Sequence, residues 1–260
     1  MVFTFHHEAN REDYDAAIGN DIHLRIYKNN YLNFAGIIPY DRIEGGKEYR
    51  LLKEATGEID VVAWAVPANE DHIIDIPTPS QDESITGELL TVQPITRAIA
   101  YNSVGRLYLG TSTYEENDLA SETKVPVLMN NCVAQFSATI HNVPEYYEPG
   151  QTETVWLEIA GTKSQMDIHF TPKGDDAVIM AEFTEKDDNG ILNTNKHSLL
   201  PSADDQFLEV KVYRGDEYQG MIYTDIQSRP GDIIHLDIYR NTITITVNDW
   251  RVFEIPSLSI

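Results

Sequence analysis

The chain has 260 residues, with 42 acidic against 19 basic side chains, a formal net charge of -23 at pH 7 and 42% hydrophobic content. That charge is repelled by phosphate backbones and anionic lipid surfaces, which excludes nucleic acid as a partner class, and the 14 tyrosines and 3 tryptophans exclude a disordered chain. A single cysteine, Cys132, rules out an intramolecular disulfide and a cysteine-based zinc site, and no run reaches the ~18 apolar residues of a membrane-spanning helix.

Read in chain order, short stretches alternate apolar and polar residues between clusters of Asn, Asp, Gly and Pro, the pattern of antiparallel strands. Strands are predicted over Val2–His6, Ile22–Tyr27, Asn33–Ile38, Glu48–Leu52, Glu58–Val66, Glu88–Val92 and Arg106–Thr111. PITRAIAYNS, 94 to 103, is the best helical pattern, two or three turns at most. The acidic, turn-rich stretch STYEENDLASETKVPVLMNN, 112 to 131, marks a boundary, giving domains of 1–130 and 131–260.

The second set of predicted strands is Lys124–Met129, Cys132–His141, Thr154–Ala160, Ser164–Phe170, Ala177–Phe183, Phe207–Tyr213, Gln219–Asp225, Ile233–Tyr239, Thr242–Val247 and Trp250–Ile255. GTKS, 161 to 164, is read as a hairpin turn. So many short strands with almost no helix predict an all-β chain, with one sandwich or barrel in each half.

Candidate chemistry is sparse. Cys132 heads the apolar face formed with Ala134, Phe136, Ala138 and Ile140, and is expected to be a small buried residue, not a nucleophile. His6 and His7 are adjacent on a strand and so point to opposite faces, and the other histidines are scattered singly, so no transition-metal site is expected. Among the acidic clusters, EKDDNGILNTN offers Asp187, Asp188, Asn189 and Asn193 as oxygen ligands but does not match the twelve-residue calcium loop. The clusters NEDHIID, QDES, YEEND and SADDQ are likewise read as solvated loops. Phosphate-cradling loops and G-x-S-x-G elbows are absent, and 42 acidic residues make any proposed glycosidase pair uninformative. Trp64 and Trp156 lie inside alternating strands and are expected in cores. No catalytic residue, cofactor or metal is assigned.

Several stretches together resemble the FimB-like anchor-type minor subunits of the Bacteroidetes fimbrillin superfamily. They are VFTFHHE, NDIHLRIYKNN, GEIDVVAWAV, LYLGTSTY, VPVLMNNCVAQFSATIHNVP and the ending ITITVNDWRVFEI. The resemblance implies two tandem transthyretin-like, Greek-key β-sandwich domains and a non-enzymatic structural subunit of a cell-surface fimbria, joined to other fimbrial subunits by β-strand addition. It also implies export and an N-terminal lipid tethering the protein to the outer membrane. MVFTFHHEANRED shows no leader or lipid-attachment motif, so the tether is expected outside this sequence, and Cys132, mid-chain, is not the attachment site.

The final apolar run carries the candidate partner strand. Trp250 and Val252 fall on one side of its alternation and Phe253 and Ile255 on the other, a two-sided strand that needs covering on both faces. The alternative is a carbohydrate-binding surface protein or tip adhesin on the same scaffold, motivated by Tyr146-Tyr147 and the acidic loops.

Overall fold

A computed structural model describes residues 1–7, 20–43, 48–51, 57–67, 74–77, 80, 84–92, 107–115, 124–141, 154–186, 191–240 and 242–256. The chain is predominantly β and divides into two compact units. Unit 1 comprises residues Met1–Thr91, Gly105–Cys132 and Met166–Phe170, and unit 2 comprises Val92–Val104, Val133–Gln165 and Thr171–Ile260.

In chain order, the strands of the first half are β1 (Val2–His7), β2 (Asn20–Lys28), β3 (Tyr31–Ile38), β4 (Glu48–Arg50), β5 (Glu58–Pro67), β6 (Ile74–Asp75), β7 (Leu89–Val92), β8 (Tyr108–Glu115) and β9 (Lys124–Asn131). Seven of them form one sheet in the order β3-β2-β5-β8-β9-β1-β4. The amino-terminal strand is internal, parallel to β9 and antiparallel to β4.

Alternation builds the main core of unit 1. Ile22, Leu24 and Ile26 of β2, Val61, Ala63 and Ala65 of β5, and Val125, Val127 and Met129 of β9 fall on one face and pack around Phe3 and Phe5. Each large side chain so buried contributes about 1.5–3 kcal/mol. The opposite face is also covered: Tyr27, Val62 and Trp64 are fully buried there. The covering residue that can be named is Glu88, just before β7, which reaches both Tyr27 and Trp64.

The second half contributes β10 (Ala134–His141), β11 (Val155–Asp167), β12 (Pro172–Lys186), β13 (Ile191–Thr194), β14 (His197–Leu199), β15 (Glu209–Arg214), β16 (Glu217–Tyr223), β17 (Ile233–Ile238), β18 (Thr242–Val247) and β19 (Trp250–Pro256). They follow the order β16-β15-β11-β12-β13-β10-β17-β18-β19, with β14 pairing β10. The core of unit 2 joins Leu157, Ile159, Val210 and Val212 from one end of that order to Phe136, Ile140, Leu236 and Ile245 from the other, as two layers with one apolar filling.

Most predicted strands are present, several extended by a residue or two, while β6, β13 and β14 carry too few residues to show a period. One expected turn is missing. GTKS is not a hairpin turn, because β11 runs unbroken from Val155 to Asp167. Gly161 reads as a breaker in sequence, but its φ of +95° serves a close approach: a Cβ there would lie 2.1 Å from the carbonyl oxygen of Phe207. The chain turns instead at Phe170, whose φ is 60°. The predicted helix at 94 to 103 lies outside the described residues.

Candidate functional site

The carboxyl-terminal hairpin is built from local chemistry. Ile243 and Ile245 of β18 are buried, and Asn248 and Asp249 follow with φ of 51° and 65°, the left-handed pair that a two-residue hairpin turn requires. Asn248 fixes the turn to β17: its Oδ1 accepts from the Ile233 amide at 2.8 Å, its Nδ2 donates to Asp232 Oδ1 at 2.8 Å, and its own amide donates to the Ile233 carbonyl at 2.9 Å.

β19 therefore leaves the turn in a set register and stands last in the strand order, paired with β18 alone among the described strands. That register corrects the expected two-sided alternation. Trp250, Phe253 and Ile255 stand opposite Val247, Ile245 and Ile243, while Val252 is an extra residue between the Ile245–Phe253 and Thr246–Arg251 pairs. The bulge resets the period, so three of the four candidates share one register class and Val252 falls outside it. The side chains of β19 are outside the described set.

The polar face of β10 and β17 carries a cluster that the linear sequence does not announce. The two strands are parallel, pairing Ser137 with His235 and Thr139 with Asp237. The Asp237 carboxylate accepts from His141 Nε2 at 2.6 Å and lies 3.4 Å from His235 Nε2. His235 Nδ1 shares a 2.8 Å hydrogen bond with the Ser137 hydroxyl, and His141 stacks on Tyr239 with centroids 4.2 Å apart. Serine, histidine and aspartate meet here in line, but the Ala138 amide next to Ser137 is already taken by Thr194 Oγ1 at 2.9 Å and does not serve as an oxyanion donor. Among the described residues no group of three His, Cys, Asp or Glu has metal-holding geometry. A reader could have found half of this cluster from the H-x-D spacing at 235 to 237 on a strand. The arrival of His141 needed the β10–β17 pairing.

Of the other expected residues, Cys132 is fully buried, its amide donates to the Leu107 carbonyl at 2.8 Å, and burial pushes its thiol well above the usual range, so it is no nucleophile. β1 stays regular through His6 and His7, which pair with Leu128 and Met129 on alternating sides. Asn193 accepts a hydrogen bond from Thr139 at 2.7 Å, while Asp187, Asp188, Asn189, Tyr146 and Tyr147 lie outside the described residues. Trp64 is buried as expected. Trp156 is not in the core: it is half-buried on the outer face of β11, stacked on Tyr213 at 4.1 Å, and Tyr213 meets Tyr218 edge-on at 5.6 Å.

A family model for fimbrillin-A-associated anchor proteins, Mfa1 and Mfa2, matches residues 3–255. The chain belongs to this family. No curated protein matches its sequence significantly. Among solved structures, the fimbrial anchor protein Mfa2 of Porphyromonas gingivalis superposes with a TM-score of 0.70 at 14% identity, covering 98% of each chain. A fimbrial assembly protein from Parabacteroides distasonis superposes at 0.55 with 10% identity, over 99% of this chain and 98% of that one. At such identities the superpositions establish the shared fold, and the family match carries the role. This anchor-family protein is a non-enzymatic structural subunit of a fimbria, located at the cell surface in association with the outer membrane.

Proposed function

We propose that this anchor-family subunit joins its neighbours by β-strand addition, with β19 as the strand through which it meets the next subunit, and that an N-terminal lipid outside this sequence tethers it. The observation that carries the reading is the place of β19, last in its sheet and paired with β18 alone among the described strands. An edge strand presents a row of main-chain donors and acceptors to a second chain, and pockets for alternate side chains then set the register. Trp250, Val252, Phe253 and Ile255 are the residues assigned to that contact, with the Val252 bulge marking where an incoming strand must adapt. In this reading the halves 1–130 and 131–260 act as tandem transthyretin-like sandwich domains.

The test is removal of residues 250–260 from the full chain, followed by incorporation into fimbriae and thermal melting. Incorporation is expected to be lost while most of the melting temperature is retained. Parallel loss of folding and incorporation would make β19 an ordinary closing strand.

A further inference from the structure

We propose that unit 2 carries a binding cleft for a cationic group, a lysine or arginine side chain presented by a protein partner, beside the edge strand β16. The cleft has a volume of about 460 Å³, and its walls include Phe207, Tyr223, Asp205, Glu209 and Asp225. Two of these are large aromatic rings left in solvent, with Phe207 45% and Tyr223 68% exposed. Aromatic faces beside carboxylates are the combination that attracts an ammonium or guanidinium group, through the ring quadrupole and charge-assisted hydrogen bonds.

The lysines nearby already have partners. Lys163 donates to Asp176 at 2.7 Å, and Lys211 is held by Glu158. Gln206, also on the cleft wall, donates through Nε2 to Asp176 at 2.7 Å. Lysine and arginine side chains bring charged donors and no acceptor, which suits walls that carry Asp205, Glu209 and Asp225.

The cleft is also held in shape before anything binds. The Thr224 amide and hydroxyl both donate to the Leu208 carbonyl, at 3.2 and 2.7 Å, and the Leu208 amide donates to Ile226 at 2.8 Å. Gln227 Nε2 ties down the 203–206 turn through the carbonyls of Ala203 at 3.1 Å and Asp204 at 2.7 Å. Gly161 lets the backbone of β11 press against Phe207 from below. A preformed site loses less ordering entropy on binding. The chain's charge of -23 favours the same class of partner. This site is separate from the strand-addition reading, because β16 and β19 are at opposite ends of the strand order.

The experiment titrates the full chain, by NMR, with acetyl-Gly-Lys-Gly-amide, with the same peptide carrying Leu in place of Lys, and with N-acetylglucosamine. Saturable shifts centred on Phe207 and Tyr223 are expected with the lysine peptide alone, weakening as salt is raised. Asp225→Asn and Tyr223→Ala should each weaken that binding by about tenfold, with melting temperatures unchanged. An equal response to the leucine peptide would make the cleft an apolar groove. A response to the saccharide without one to the lysine peptide would make it a glycan site. No saturable response, or variants that bind like the parent, would leave it a solvated surface. Each of these results overturns the proposal.

Discussion

The two units place their polar sheet residues in opposite environments. In unit 1 the second face of the sheet is covered, and Arg25, which alternation sends there, is sealed in against the covering Glu88: their side chains are 2% and 0% exposed, with Nε and Oε1 3.8 Å apart. Tyr27 donates to Glu88 Oε1 at 2.5 Å and Trp64 Nε1 donates to Oε2 at 3.3 Å, so one carboxylate serves three partners. In unit 2 the corresponding faces keep some contact with solvent, and their histidines, carboxylates and rings pair across strands while remaining partly wet. Identical period-2 patterning therefore yields a high-stakes buried network in one unit and a set of modest surface pairs in the other, because cover on the second face decides the dielectric.

The sharpest way to break that contrast is to remove the buried acid. Glu88→Ala strands the Arg25 charge and two donors, and should cost about 3–5 kcal/mol in urea unfolding. A smaller loss would mean that water reaches the site.

The acid range separates the units next. Burial, helped by the Arg25 charge, lowers His23 from 6.5 to about 4, so the unfolded chain binds a proton there that the folded chain does not. Its contribution is complete above about 6.5 and is lost as pH falls from 6.5 towards 4, with a slope of at most about 1.4 kcal/mol per pH unit. Glu88 works against it, since burial raises its carboxyl and protonation on acidification stabilises the fold. Unfolding of His23→Gln followed from pH 7 to pH 4 should show a flatter or inverted slope relative to the parent.

Smaller effects are expected in unit 2. Tyr213→Ala removes a stacked pair with Trp156 and an edge contact with Tyr218, and should cost about 0.5–1.5 kcal/mol by thermal melting. Asp237→Asn, at the centre of the two-histidine cluster, should cost less than about 1 kcal/mol, because its partners can turn to water. A loss at Asp237 matching that at Glu88 would show the outer face of unit 2 to be as dry as that of unit 1.

The strands themselves were legible. Runs such as Thr242–Val247 and Ile233–Ile238 fold as their alternation prescribes, and the Asn248-Asp249 turn sits where its residue types put it, because these signals are local and depend on a period and a left-handed pair. Gly161 misled because a glycine that permits close backbone approach looks the same in sequence as one that makes a turn. The candidate strand Trp250–Pro256 was visible as a strand, but its alternation was misread, since a bulge is set by the partner's register and not by the run's composition.

What the sequence determined by itself is the all-β character, the polar and apolar faces of most strands, the inertness of Cys132 and, through its pattern of strands and turns, the fimbrial family. What only the tertiary structure decided is which distant residues meet: Glu88 with Tyr27, 61 positions apart, and His141 with Asp237, 96 apart. It also decided that Trp156 faces outward and that Phe207 and Tyr223 flank one cleft. The physical reason is common to all of these. A strand's own residues fix its two faces, but strand order and the cover over each face fix what those residues touch, and these depend on pairings far apart in the chain.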